Sequence, residues 1–177
     1  MKNTKFLSLH HLLAFFLPGL YLLLNIGIVK YFPENNNFTE FTNMINQNIK
    51  LPFASLLFIF SIFIGIIIDA LRNTACERLY DCFRKYNMTE AWKMFSLFDK
   101  DKKEMFYDSY YSYYSFDTNI IISSIVALLF YFYTCFIDTT LNPFSWFTIL
   151  NTLIILVLIF DASSLRIEMK EFCLNSI

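Results

Sequence analysis

Glycine is scarce in this chain, and its three copies, Gly19, Gly27 and Gly65, stand far apart. A phosphate-binding loop or a dinucleotide-binding turn needs several glycines within a few residues, because the backbone must approach the phosphates closely. Neither can be assembled from glycines so widely spaced. The sequence therefore excludes nucleotide-dependent enzymes of those two kinds.

Histidine and cysteine are also rare, with two and four copies. No two cysteines stand at the spacing of zinc ligands, and Cys76 and Cys82 fall on different faces of a predicted helix. The remaining residues form no specific catalytic motif. We therefore predict a protein that is not an enzyme, with no catalytic residues and no cofactor.

Charge is missing from four long apolar runs, 7–29, 51–70, 120–137 and 146–160, and Asp69, near the end of the second, is the one exception. A transmembrane helix needs roughly 17 to 25 such residues to cross the bilayer. We therefore predict an all-α integral membrane protein, a four-helix transmembrane bundle that forms one domain over residues 1–177. Its spans are expected at about 7–29, 51–70, 120–137 and 144–161.

The positive charges indicate how the bundle is oriented. Twelve of the fourteen Lys and Arg residues lie in the N-terminus, the loop 71–119 and the C-terminal tail, leaving Lys30 and Lys50 on the other side. Cytoplasmic segments retain such charge during insertion. We therefore place both termini and the loop in the cytoplasm, beneath the inner (plasma) membrane. A cleaved signal peptide is the alternative for the N-terminus, but its apolar run is too long.

The loop 71–119 is predicted to be helical. After Asp69 the apolar residues narrow to a stripe with helical spacing, Leu71, Ala75, Leu79, Cys82, Phe83 and Tyr86. This pattern predicts that the second span continues as an amphipathic cytoplasmic helix. Asn87 to Glu90 reads as a capping box that begins a further short helix, and the stretch 99–104 is expected to end it.

A tyrosine-rich tract precedes the third span, and Tyr107, Tyr110, Tyr111 and Tyr114 share one helical face. Tyrosines collect at membrane interfaces, so an anchoring belt is one interpretation. The alternative is a surface that binds a soluble protein partner or a neighbouring subunit. Nucleic acid is not an expected partner, because nearby acidic residues offset Lys100, Lys102 and Lys103.

Small and polar residues mark one face of each span, including Asn25, Ser61, Gly65 and Asn151. Lipid provides no hydrophobic drive between helices, so such faces typically make close helix packing. The alternative is that a homo-oligomer turns some of them toward a wet pore. Pro18 and Gly19 are the one candidate break in a span and hence a candidate hinge.

Four ionisable residues are expected near the cytoplasmic surface. His10 and His11 begin the first span, and Asp69 and Asp161 end the second and fourth. Convergence of these groups would make a metal or proton site. The alternative is structural ion pairing, of Asp69 with Arg72 and of Asp161 with Arg166.

In size, four-span layout and its long charged cytoplasmic loop, the chain resembles small accessory or effector proteins encoded beside bacterial antiphage systems, including some RNA-targeting CRISPR ribonucleases. This resemblance implies a role in antiphage defence. The leading hypothesis is an oligomeric pore-forming or membrane-perturbing effector controlled by a cytoplasmic partner. The alternatives are a membrane adaptor that recruits a soluble partner and a small transporter or metal permease. The lipid bilayer and further copies of the chain are the other expected partners.

Overall fold

The computed structural model describes residues 9–31, 51–138 and 141–175. Within these ranges every regular element is helical. The α-helices are α1 (Leu9–Tyr31), α2 (Leu51–Leu71), α3 (Glu77–Asp81), α4 (Thr89–Ser96), α5 (Lys100–Phe106), α6 (Ser112–Ile137) and α7 (Trp146–Asn175). Two π-helical turns, Arg72–Cys76 and Tyr107–Tyr111, join α2 to α3 and α5 to α6 without a break.

Three continuous helices, Ala54–Asp81, Lys100–Ile137 and Trp146–Asn175, are long and apolar enough to cross a membrane. The apolar part of α1, Leu13–Val29, is shorter than these three. Large apolar side chains such as Phe63 and Leu129 are exposed on the outside of the helices, as they are where lipid is the solvent. The predicted all-α class and the apolar helices of membrane length are confirmed.

The long helices pack in a defined order. α1 lies antiparallel to α2, since Gly19 meets Ser61 while Phe15 meets Gly65. α1 lies parallel to α6, and α6 packs antiparallel to α7. α1 and α7 thus cover two sides of α6, which becomes the most buried of the long helices.

The other helices build a compact unit at one end of this bundle, which we call the aromatic head (residues 72–118 and 162–175). Its centre is fully buried and consists of Met88, Ala91, Phe106, Met169 and Cys173. Aromatic rings surround this centre, with Trp92 and Phe95 edge-on or tilted against Phe106. The end of α7 completes the core, so the head is made of two distant parts of the sequence.

The stretch 99–104 was predicted to end the preceding helix, and α4 ends before it at Ser96, but from Lys100 the stretch forms a new helix, α5. The Asp99 side chain accepts a hydrogen bond from the Lys102 backbone N–H at 2.8 Å, which caps the first turn of α5. The predicted capping box at Asn87 is not formed, and α4 begins one residue later than expected. α4 has Met88 as its N-cap, and Asn87 accepts a bond from the Thr89 N–H.

Candidate functional site

Arg166 is the best-connected polar residue of the aromatic head, although its side chain is fully buried. Its Nη1 lies 2.5 Å from a Glu77 oxygen, its Nη2 lies 2.7 Å from an Asp81 oxygen, and its Nε donates to the Tyr86 carbonyl at 2.9 Å. The planar guanidinium carries five donors in a fixed geometry. One side chain of α7 therefore holds α3 and the turn that follows it.

Aromatic rings enclose the same guanidinium. Its carbon lies 5.3 Å from the Tyr80 ring centre and 5.5 Å from that of Tyr114, within the range of a cation–π contact. Nη1 also donates to the Tyr114 hydroxyl at 3.0 Å. Burial raises the pKa of Tyr114, so this hydroxyl stays protonated beside the arginine.

Arg72 plays the equivalent part at the end of α2 and is also buried. Its Nη2 lies 3.0 Å from an Asp69 oxygen and donates to the Tyr111 hydroxyl at 3.1 Å, while Nη1 donates to Ser115. The predicted ion pair between Asp69 and Arg72 is confirmed. Because Asp69 belongs to α2 and Ser115 to α6, Arg72 joins these two long helices where they enter the head.

The tyrosines predicted to face a partner pack inside the aromatic head. Tyr114 is fully buried, and the other three, Tyr107, Tyr110 and Tyr111, are partly buried against aromatic side chains of the same chain. Ring centres lie 5.6 Å apart for Tyr107 and Phe95, 5.4 Å apart for Tyr110 and Phe172, and 6.3 Å apart for Tyr111 and Trp92. This face supplies the head's own core.

A row of polar side chains, all buried except the half-buried Tyr21, runs through the bundle, and we call it the polar seam (Tyr21, Asn25, Asn119, Ser123, Ser124 and Asn151). The Tyr21 hydroxyl donates to Asn151 at 2.8 Å, and the Asn151 amide donates to Asn25 at 3.3 Å. Ser124 donates to the Tyr21 hydroxyl at 3.3 Å. Asn25 and Asn151 thus bond to each other within one copy of the chain.

The seam also supplies a hydrogen bond that α1 lacks. Pro18 has no backbone N–H, so the Ala14 carbonyl loses its partner within the helix. The Asn119 side-chain amide donates to that carbonyl at 3.1 Å, and Ser123 donates to the Pro18 carbonyl at 3.1 Å. The segment predicted as a hinge is therefore held against α6.

Ser61, Gly19 and Gly65 bring the backbones of α1 and α2 close together. A Cβ placed on Gly19 would lie 1.9 Å from the Ser61 carbonyl oxygen, and one on Gly65 would lie 1.9 Å from the Phe15 carbonyl oxygen. No side chain fits at either position. The small-residue positions lie between helices, in the arrangement by which spans pack tightly.

The four ionisable residues considered for a metal site are used differently. The side chains of His10 and His11 lie outside the described residues. Asp69 is bound by Arg72 and by the Asn119 amide, which lies 3.3 Å from it. Among the side chains that the structure describes, no three His, Cys, Asp or Glu residues form a group able to hold a metal ion.

Asp161 does not pair with Arg166 as predicted. The arginine lies one turn beyond Asp161 but turns into the head toward Glu77 and Asp81, whereas Asp161 is exposed. A local spacing rule fails here because two carboxylates from α3 compete for the same guanidinium and complete its burial.

Asn119 was not singled out by sequence reasoning, although a signal for it was present. A proline inside an apolar run leaves one carbonyl without a partner, and a buried carbonyl requires a donor from a neighbouring helix. That requirement predicts a polar side chain opposite Ala14 but does not say which one. No protein-family model, curated protein or solved structure matches this chain.

Proposed function

We propose that this protein is a non-enzymatic, multi-pass membrane adaptor that holds the aromatic head at the cytoplasmic face of the plasma membrane, where the head recruits a soluble protein. α1 serves as a fourth span beside α2, α6 and α7. The concentration of Lys and Arg in the loop 71–119 and the two termini supports this orientation.

The observation that carries the proposal is a pair of exposed apolar side chains on the head. Leu79 is 64% exposed and Phe83 is 58% exposed, and we call the two the docking patch. Leu79 lies on α3, and Phe83 lies in the turn that follows α3. Leu79 stands eight residues beyond the end of α2, about 12 Å further along a helix. In this proposal the patch lies in the cytoplasmic loop 71–119 and is available to a protein.

The charges around the docking patch indicate the partner's chemistry. Arg78 and Arg84 are exposed beside it, whereas the nearby acids Glu77 and Asp81 are bound by Arg166. The rim of the patch is therefore basic. A complementary partner has one or two apolar anchors surrounded by acidic residues.

The polar residues of the bundle support an adaptor over a channel. Asn25 and Asn151 are buried and hydrogen-bonded to each other, and Ser61 is buried against α1. A pore formed between copies needs polar groups on outward faces. The outward faces of α2 and α7 instead carry large apolar residues such as Phe60, Phe63, Leu153 and Leu156.

Site-specific photo-crosslinking in cells tests the adaptor. We expect a crosslinker at Phe83 to capture one soluble protein, and we expect Leu79→Asp to release that same protein from the membrane fraction. A crosslinker at Phe63 is the control and should capture lipid only. Met105→Asp, which adds the same charge at another exposed apolar site of the head, should leave recruitment unchanged.

Three results would contradict the adaptor. The crosslinker at Phe83 could capture only lipid, or it could capture a second copy of this chain. Alternatively, Leu79→Asp could retain the captured protein at the membrane. The unfolding temperature of Leu79→Asp is measured alongside, so that release is not confused with loss of the fold.

The polar seam favours a second candidate function, a gated pore of the kind implied by the resemblance to antiphage effectors. The seam follows α6 from Asn119 to Ser124 and then reaches Asn25 and Asn151 through Tyr21. Its side chains bond to one another or to the α1 backbone, so the path is closed unless α1 separates from α6 and α7. Water entering between those helices would meet polar side chains throughout.

Liposomes separate the two candidates. For the pore, we expect ion or dye flux from reconstituted protein and its loss in Asn151→Leu, because that variant removes the centre of the seam. For the adaptor, we expect no flux in any oligomeric state, with or without a bound partner. Thr152→Leu is the control, because Thr152 follows Asn151 in the sequence but is exposed and lies outside the seam.

A further inference from the structure

A groove of about 440 Å³ lies on the surface of α7, at the boundary between its apolar and polar halves. One end is formed by Leu156, Ile159 and Phe160, all exposed. The other end is formed by Ser163, Ser164 and Ile167 of α7 and by Lys85 and Tyr86 from the turn after α3. The volume falls within the range of roughly 300–1,000 Å³ that small-molecule sites occupy.

The groove is formed before any ligand binds, because the turn that carries Lys85 is fixed to α7. Arg166 Nε donates to the Tyr86 carbonyl at 2.9 Å. Lys170 Nζ lies 3.3 Å from the Arg84 carbonyl and 3.5 Å from the Lys85 carbonyl. The cost of ordering this wall of the groove is therefore met by folding.

The polar end suits an anion. No acidic residue lines the groove, and Lys85 is flanked by two further cations, Arg84 and Lys170. The Tyr80 hydroxyl and Ser163 Oγ share a hydrogen bond of 3.4 Å in which either atom can be the donor. When Tyr80 donates, the Ser163 proton is available to a phosphate oxygen.

The position along α7 identifies the source of the anion. The apolar run ends at Phe160, so Ser163 and Ser164 lie where phospholipid phosphates begin, and Leu156 and Ile159 lie beside acyl chains. A single ligand that spans both ends must have a phosphate joined to a hydrocarbon chain. We infer that this groove binds one anionic phospholipid, with its phosphate at Lys85 and Ser163 and one acyl chain along Leu156 and Ile159. The inference requires only that α7 crosses the bilayer and does not depend on the adaptor.

Native mass spectrometry of the detergent-purified full chain, titrated with phosphatidylglycerol or with phosphatidylcholine, tests this site. We expect tighter binding of phosphatidylglycerol. We expect Lys85→Met to weaken that binding about fivefold, the effect of one lysine near an anionic surface, and to weaken phosphatidylcholine binding less, because choline neutralises the charge of its phosphate. Lys93→Met is the matched control, because this exposed lysine of α4 does not line the groove.

A second variant examines the apolar end. Ile159→Trp fills the groove and should weaken binding of both lipids, whereas Leu153→Trp, on an exposed site of α7 outside the groove, should not. Unchanged unfolding temperatures show that the variants are folded. Equal affinity of the wild type for the two lipids overturns the inference, as does an equal loss in Lys85→Met and Lys93→Met. Displacement by glycerol phosphate as effective as that by the lipid would show a site for soluble phosphate instead.

Discussion

Single residues decide how closely α1 and α2 approach. Gly19 and Gly65 are needed because the facing group is a backbone carbonyl, and a carbonyl within a helix cannot move aside as a flexible side chain can. Gly27 belongs to the same helix as Gly19, yet a Cβ added there would have nothing within 4 Å. Helix packing therefore requires glycine at positions 19 and 65 but not at position 27.

We expect Gly19→Ala and Gly65→Ala to destabilise the bundle by about 1–3 kcal/mol or more, the cost of overpacking a close contact. Gly27→Ala is the matched control and should be neutral or slightly stabilising, because alanine is the better helix former. Thermal unfolding in detergent micelles, followed by circular dichroism, measures the difference. Equal unfolding temperatures for the three variants would show that α1 and α2 are not in close backbone contact.

Arg166 is the residue on which the head depends most. It is buried and meets two carboxylates, but the Asp81 side chain is 44% exposed, so solvent screens that half of the interaction. Glu77 is more enclosed. Removing the arginine leaves both carboxylates beside a buried space. No other cation of the described residues forms an ion pair with either of them.

We expect Arg166→Met to cost ~3 kcal/mol, the lower end of the range for a buried ion pair that loses one partner. Arg166→Lys should recover only part, because an ammonium cannot serve both carboxylates and the Tyr86 carbonyl. Hydrogen exchange of the amides at 77–81 measures the effect, with Lys93→Met as the control. Adding Glu77→Gln and Asp81→Asn to Arg166→Met should restore stability, and failure to do so would show that lost packing, not charge, dominates.

At the scale of the element, α1 is a helix with a built-in defect that another helix corrects. Pro18 frees the Ala14 carbonyl, and Asn119 on α6 donates to it. The two helices are thereby held in register, since the donor must stand opposite that one carbonyl. Ser123 adds a bond to the Pro18 carbonyl one turn further along.

A double-mutant cycle tests this repair. Asn119→Ala should cost about 1–3 kcal/mol in the wild type, because a buried acceptor loses its donor. The cost should be smaller in Pro18→Ala, where the new backbone N–H can bond to the Ala14 carbonyl. Ser123→Ala is the control and should be additive with Pro18→Ala, since its acceptor exists in both backgrounds. Full additivity of Asn119→Ala with Pro18→Ala would contradict the repair.

The head's elements were predicted unevenly, for a physical reason. The continuation of α2 produces a local pattern of apolar spacing that is visible in the sequence. The inward direction of the tyrosines is not, because Phe172 and Met169, which receive them, come from the far end of the chain. α5 was missed because one capping bond from Asp99 outweighs a polar composition that favours a turn.

At the scale of the whole molecule, the bundle and the head share their helices. The helices of Ala54–Asp81, Lys100–Ile137 and Trp146–Asn175 each continue from the apolar bundle into the head. Separate cores fill the two parts, one around Leu22 and Ala127 and the other around Phe106 and Met169. The head core consequently needs the end of α7 in place.

We expect Met169→Lys to loosen the head core, because a charge would be buried beside Phe106 and its neighbours. The fluorescence of Trp92 should then shift to the red. It is measured in a Trp146→Phe background, in which Trp92 is the single tryptophan. Glu168→Lys, a charge change at the adjacent exposed residue, is the control and should leave the emission unchanged. An unshifted spectrum in Met169→Lys would show that the head folds without α7.

The sequence by itself determined the helical class, the apolar helices and the ion pair between Asp69 and Arg72, because these follow from composition and from spacings of a few residues. The tertiary structure alone decided that Arg166 binds Glu77 and Asp81. It also decided that Asn119 donates to the Ala14 carbonyl, 105 residues away in the sequence. Hydrophobic periodicity is a local property of the sequence. Which buried polar groups satisfy each other depends on which helix faces stand opposite, and that is fixed only when the distant parts of the chain pack together.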